Sequence, residues 1–204
     1  MARQIRSEAS QARVLQAAYE LFLQQGYAAT SMRQIAERAN LTIGGIYGQF
    51  ENKEAIWQAV FRTYHPAKNI AEVVQQAQGN TIAELLRDAA HRMVTGLGDN
   101  PDVINLTFIE LVEFKGRNMG DIMLMIAPKL FEFLQKVIQG EGKLRDIPVP
   151  ILARAFIGMF FSYFITEILV GKQFREFYAG EVLDPFIDIY LYGILDEQPA
   201  RGNQ

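Results

Sequence analysis

Within the first 60 residues, Arg33 and Lys53 each fall in the opening turn of a predicted helix. An arginine so placed can donate two hydrogen bonds to O6 and N7 of a guanine, worth about 1–3 kcal/mol of discrimination between bases. The same side chain can instead meet a phosphate or close a surface salt bridge. Lys53 follows Asn52, a good N-cap, so a cation, free amides and the positive end of a helix dipole coincide there, a combination suited to phosphate. Catalysis finds no comparable constellation. His65 and His91 are the only histidines and stand far apart, cysteine is absent, and no serine sits in a nucleophile-elbow pattern. No glycine-rich phosphate loop follows a strand, and the carboxylates lie on amphipathic helices whose solvated faces account for them. No enzyme activity, cofactor or metal site is expected.

The elements that must position these side chains are legible from Thr30 to Glu54. Ser31-Met32-Arg33-Gln34 fits a capping box, in which Ser31 accepts from the Gln34 amide and Gln34 reaches back to the Ser31 amide. Met32, Ile35, Ala36 and Ala39 then recur at the spacing of one apolar helix face. Asn40 tolerates the left-handed backbone of a sharp turn, and Leu41 is placed to fill the gap between the helices. Thr42 is an N-cap for a short helix ending at Gly48, with Ile46 inward. Two short helices and a tight turn describe a helix-turn-helix, the second helix being the reader. A plain helical hairpin would share that pattern, but Gly44-Gly45 argues against it. Each glycine costs about 1 kcal/mol relative to alanine inside a helix, so local stability does not explain the pair. A bare face that lets the backbone approach another surface does.

The first 55 or so residues resemble the TetR-type regulators, through Ala18, Leu21, Phe22, Gly26, Tyr27, Thr30, Ser31, Ile35, Ala36, Ala39, Leu41, Gly45, Ile46, Tyr47, Phe50, Lys53 and Glu54. Beyond them the resemblance is architectural. It implies DNA contact by Ser31, Arg33, Thr42, Ile43, Gly44, Gly45, Tyr47, Gln49 and Lys53. Thr42 resembles a phosphate-binding cap, and Tyr47 matches a tyrosine that reaches phosphate or a thymine methyl. Ile43 departs from the pattern, standing where relatives often place a polar base reader. That leaves hydrogen-bonded readout there in doubt, and packing on a thymine methyl is the alternative.

Composition sets limits on the partners. The 204 residues are 50% hydrophobic and 21% charged, with net charge −3. Residues 1–60 carry +1 and the remainder −4, so DNA affinity must rest on a few well-placed cations rather than a broad positive field. Absence of cysteine excludes disulfides and suits a reducing cytosol. The polar start, Met-Ala-Arg-Gln, has no apolar stretch behind it and does not read as a secretory signal.

The first helix is expected from Ser7 or Ser10 to Gln25, with Arg3 and Arg6 on an arm that is either solvated or in contact with DNA. A kinked helix is expected from Lys53 through Pro66 towards Gly79. Thr81-Ile82-Ala83-Glu84 is a second capping box, Asn100-Pro101 opens another helix, and further helices cover about 120–139, 150–170 and 181–195. Ala155 to Val170 is long enough to approach a membrane span of about 20 residues. Arg154 and Glu167 near its ends, without clustered positive flanks, make stable membrane insertion unexpected.

The fold expected is all-α, with about nine helices: a three-helix helix-turn-helix head in residues 1–52 and a helical ligand-binding and dimerisation domain in residues 53–204. By resemblance, the function is that of a cytoplasmic, homodimeric transcription regulator, a repressor of a palindromic operator in double-stranded DNA, released by a hydrophobic small molecule. Candidates for the pocket are Met93, Phe108, Met123, Phe131, Phe160, Tyr163 and Phe164, with Asn105, His91, Thr166 and Glu167 as polar orienters. The dimer face is assigned to Phe156, Phe160, Phe164, Phe186, Ile189, Tyr190 and Gly193. The alternatives are a DNA-bound regulator controlled by a protein partner and, more remotely, a membrane-peripheral lipid-binding protein.

Overall fold

The computed structural model describes residues 2–97, 102–170 and 182–195. Among them are ten α-helices: α1 Ala2–Gln25, α2 Met32–Arg38, α3 Ile43–Tyr47, α4 Lys53–Tyr64, α5 Ala67–Gln75, α6 Ile82–Leu97, α7 Asp102–Phe114, α8 Met119–Gln139, α9 Val149–Val170 and α10 Leu183–Ile194. The only β pairing among described residues is two isolated bridges, Thr81 with Glu141 and Leu144 with Leu195. The all-α expectation holds.

Three details depart from the sequence reading. The helix α1 begins at Ala2 rather than at Ser7 or Ser10, because nothing between them breaks a helix and Ala, Arg, Gln and Glu all favour one. The expected arm carrying Arg3 and Arg6 is therefore helical backbone. The expected kinked helix is two helices: Pro66 cannot donate a backbone hydrogen bond, and His65 before it adopts extended backbone at ψ 125°. Pro128, by contrast, is carried inside α8 without ending it. The Asn100-Pro101 start lies outside the described residues.

The chain divides into two compact units, one of residues 1–67 with 101–125 and the other of residues 68–100 with 126–204. In the first, Val14, Ala18 and Phe22 of α1, Ile35 of α2, Ile46 of α3 and Ile56, Trp57, Val60 and Phe61 of α4 are all buried together with Leu106, Phe114 and Ile122. Trp57 stacks on Phe114 at 5.4 Å between ring centroids and meets Phe22 edge-on at 5.5 Å. Aromatic pairs of this kind add about 0.5–1.5 kcal/mol each beyond their burial. Glu110, fully buried, accepts hydrogen bonds from the Trp57 indole at 2.8 Å, the Asn118 amide at 2.7 Å and the Asn118 side chain at 2.9 Å. Three donors on one carboxylate compensate its removal from water.

The second unit packs Leu85, Leu86, Ala89 and Ala90 of α6 against Phe133 and Val137 of α8, Leu152, Phe156 and Phe160 of α9, and Leu183, Ile187, Leu191 and Ile194 of α10. The Thr81 capping box forms as read: Thr81 Oγ1 accepts from the Glu84 amide at 3.1 Å, and Glu84 accepts from the Thr81 amide at 3.2 Å. Arg87 of α6 pairs with Asp184 and Asp188, one turn apart on α10. The Tyr190 hydroxyl donates to the Leu152 carbonyl at 2.9 Å, and burial pushes its pKa up to about 12. The apolar stretch Val149–Glu167 meets the length and composition of a membrane span, but Leu152, Phe156 and Phe160 recur along one face of it inside this core.

Candidate nucleic-acid interface

Gly26 ends α1 in left-handed backbone at φ +83°, a conformation glycine adopts without steric cost. The chain then turns into α2. Ser31 accepts from the Gln34 amide at 3.2 Å while Gln34 accepts from the Ser31 amide at 2.8 Å, the reciprocal box expected. Asn40, at φ +54°, makes the sharp turn. Thr42 caps α3, its hydroxyl accepting from the Gly45 amide at 3.1 Å. Arg38 of α2 bonds Glu20 of α1 at 2.8 Å, so the brace helix is tied to the scaffold.

What is left facing outward is short. The Arg33 side chain is 85% exposed and touches Glu37 through Nε alone, at 3.2 Å. Ile43 is 43% and Tyr47 56% exposed, while a Cβ placed on Gly44 would meet nothing within 4 Å. At Gly45 a Cβ would lie 3.2 Å from the Thr42 hydroxyl, so that glycine protects the cap rather than the outer face. Ser31 and Thr42 are committed to capping.

Two predicted contact residues turn inward. The Gln49 amide donates to Ser10 Oγ at 2.7 Å and to the Gly45 carbonyl at 3.3 Å, fastening the end of α3 to α1. The Lys53 ammonium donates to the carbonyls of Tyr27 and Thr30, each at 2.7 Å, with Ala28 at 3.4 Å, and lies 4.2 Å above the Tyr27 ring. Burial among these groups holds its pKa below the ordinary lysine value. Three N–H donors meet three carbonyls of the turn that follows α1, so Lys53 closes the turn that carries Ser31. Sequence gave no signal for this, since acceptors more than twenty residues away do not show in spacing.

The candidates for a ligand pocket are spread. Met93, Phe160, Tyr163 and Phe164 gather in the second unit's apolar cluster. Phe131, in that unit, is 61% exposed, and Phe108 and Met123 of the first unit are 44% and 45% exposed. Of the polar candidates, His91 bonds Asp184 and the Thr166 hydroxyl bonds the Ser162 carbonyl. Clefts on the second unit are lined by Gln75, Gln78, Asn80, Arg92, Glu132 and Lys136 together with Ala77 and Leu85, a mixed set. Among the dimer candidates, Phe156 and Phe160 are 7% and 3% exposed and fill their own subunit's core. The sequence pattern placed them outward because α9 is apolar all round; the packed face is the one repeating Leu152, Phe156 and Phe160.

A brace helix, a left-handed turn and a short bare helix whose outward residues are Arg33, Ile43 and Tyr47 define a helix-turn-helix DNA-binding protein. Residues 14–60 match the family model for bacterial regulatory proteins of the tetR family. The chain is 24% identical over 184 residues to the uncharacterized HTH-type transcriptional regulator YvkB of Bacillus subtilis (strain 168), covering 89% of this chain and 95% of that one. The crystal structure of a TetR family transcription regulator from Marinobacter aquaeolei VT8 superimposes with a TM-score of 0.64 at 18% identity, over 95% of this chain and 100% of that one. NalD, the secondary repressor of the MexAB-OprM multidrug efflux pump in Pseudomonas aeruginosa, gives 0.63 at 18% identity, over 94% and 99%. Residues 14–60 are thus a DNA-binding segment of the tetR family, and the chain as a whole has the fold of TetR-type transcription regulators.

Proposed function

We propose that the protein is a cytoplasmic homodimer that represses transcription from a palindromic operator and is released by a small apolar molecule. The observation that carries the DNA part is the division of the head: Arg38, Gln49 and Lys53 tie α2, α3 and the start of α4 inward, while Arg33, Ile43 and Tyr47 face outward. In this reading residues 1–52 are the DNA-binding domain and residues 53–204 link, sense and dimerise. Ser31, Thr42, Gly44, Gly45 and Gln49 shape the contact surface, and Lys53 adds its charge while fixing the turn below it. No catalytic role is assigned to any residue.

Dimerisation is supported by what α9 and α10 leave uncovered. Ile151, Ile157 and Phe161 are 41–56% exposed on α9, and Ile189 and Tyr192 are 74% and 43% exposed on α10. A Cβ on Gly158 or Gly193 would meet nothing within 4 Å. Pairing across a twofold axis covers such a surface, and homodimer interfaces typically bury about 2,000 Å² or more. The apolar effector is suggested by Met93, Met159, Tyr163 and Phe164 at the edge of the second core, methionine being adaptable to irregular shapes. The repressor sign follows NalD. An effector acts only through its different affinity for two states of the dimer.

The test is selection of random duplexes by the purified protein. An inverted repeat with half-sites about one helical turn apart is expected, with a log–log salt slope of about −5 to −9 if each head neutralises three to five phosphates. An asymmetric or unstructured motif overturns the two-head reading. Control by a protein partner instead of a small molecule is the second reading, favoured by Val112 and Leu124, which are 63% and 78% exposed. A melting scan against hydrophobic compounds separates the two.

A further inference from the structure

Beyond the Tyr47 hydroxyl at its far end and the O–H that Thr42 retains at its cap, the reading helix has little hydrogen-bonding chemistry to offer. Thr42 spends its hydroxyl oxygen on the Gly45 amide at 3.1 Å. The Gln49 nitrogen is held by Ser10 and by the Gly45 carbonyl, and its oxygen is buried. Gly44, Gly45 and Gly48 have no side chains. The outward atoms of α3 therefore belong to Ile43 and, one turn on, Tyr47, with 43% and 56% of each residue exposed. Residues four apart lie on one helix face, and a Cβ at Gly44 beside them would meet nothing within 4 Å. An apolar, branched side chain on a face without bulk cannot read donors or acceptors. In the major groove, one base carries an apolar mark, the 5-methyl group of thymine.

We infer that Ile43 is a specificity-determining residue that reads a thymine methyl in each operator half-site, leaving hydrogen-bonded base recognition to Arg33 at the start of α2. This rests on the operator-binding reading above and adds the chemical feature of the DNA that α3 recognises. The Gly44 gap beside Ile43 is what brings the isoleucine down to the groove floor: a β-carbon there would reach the base edges first. Preference at that base pair then comes from burying a methyl group against the Ile43 side chain, a contact that carries no charge and does not change with salt.

Deoxyuridine is thymidine without the methyl, so replacing dT by dU at each position of the selected operator tests the contact on the unmodified protein. At one position per half-site, affinity should fall about three- to fivefold, the amount one buried methyl group is worth. The Ile43→Ala protein should bind the dT and dU duplexes equally at that position, with its salt slope unchanged. A duplex carrying 5-methylcytosine there should bind better than one carrying cytosine. If dU is neutral at every position while the operator still binds, or if Ile43→Ala keeps the dT preference, the inference is overturned and operator binding stands. If no inverted repeat is selected at all, the operator-binding reading fails and this inference with it.

Discussion

Arg33 and Lys53 are both cations in the first turn of a helix, yet their surroundings differ. The Arg33 guanidinium is exposed, and its ion pair with Glu37 is of the surface kind that contributes about 0–1 kcal/mol. Arg33→Ala should therefore leave the unfolding midpoint unchanged while relaxing preference at one base pair per half-site, measurable by binding to single-substitution operators. Lys53 holds three carbonyls, and hydrogen bonds from charged groups contribute about 1.5–3 kcal/mol in favourable cases. Lys53→Met should lower the midpoint and weaken binding to all sequences together. If Lys53 also neutralises a phosphate, the salt slope falls by about 0.9 per head; an unchanged slope assigns it to positioning alone. Residue identities made Arg33, Ser31 and Thr42 legible in the sequence, because caps and exposed first-turn cations act on near neighbours. The inward turns of Gln49 and Lys53 were not legible, because Ser10 and the Tyr27 and Thr30 carbonyls become neighbours only after α1 has packed.

Two elements, α4 and α7, meet over a buried polar group. Every bond to the Glu110 carboxylate has it as acceptor. A glutamine there turns an N–H₂ towards donors and leaves at least one unsatisfied, at a cost of about 1–3 kcal/mol. Trp57 and the Asn118 side chain share one carboxylate oxygen and the Asn118 amide takes the other, so a glutamine that keeps its oxygen on the first two strands the Asn118 amide. Glu110→Gln should lower the urea midpoint accordingly, and the emission of Trp57, the chain's single tryptophan, should shift as its acceptor loses its charge. At the C-terminal end of α4, His65 accepts from the Ala67 amide at 3.2 Å through Nδ1 and sits against Phe61. Burial pushes its pKa from 6.5 down to about 4. Below pH 6.5 the unfolded chain binds a proton that the folded one refuses, so stability is full above that value and declines down to about pH 4. His65→Gln should flatten the denaturation midpoint over that window. Pro66 announced a disturbance here, but whether a proline kinks or divides a helix depends on what caps the freed ends. The His65 ring does that, which no periodicity shows.

For the whole molecule, the deciding quantity is the state of association. Gly193→Arg adds bulk at a position where a Cβ would meet nothing within 4 Å outside its own helix, so folding should survive and pairing should not. Sedimentation at micromolar concentration should give a species near 46 kDa for the unmodified chain, about twice its 23.1 kDa, and a monomer for the variant. Linked heads gain about 10²–10⁴ in avidity over single ones, and operator affinity should fall by an amount in that range. A single 23 kDa species from the unmodified protein removes the architecture. The repeating pattern in α10 showed a stripe of Phe186, Ile189, Tyr190 and Gly193, but not which side the subunit itself uses. Packing assigns Leu183, Ile187, Leu191 and Ile194 to the interior, leaving Ile189, Tyr192 and Gly193 for a second copy.

The first compact unit is discontinuous in sequence, residues 1–67 being completed by 101–125. Trp57 rests on Phe114 and bonds Glu110, so the hydrophobic floor beneath the reading helices is supplied by a later stretch of chain. Regulators are often recombined by cutting behind the DNA-binding region and splicing on a foreign sensor. A splice at residue 67 of this protein keeps Trp57 but carries away its lining and strands its indole N–H. A hybrid will work only if the incoming sensor supplies an acceptor and an aromatic surface in the same place, or if Trp57 is replaced along with the graft.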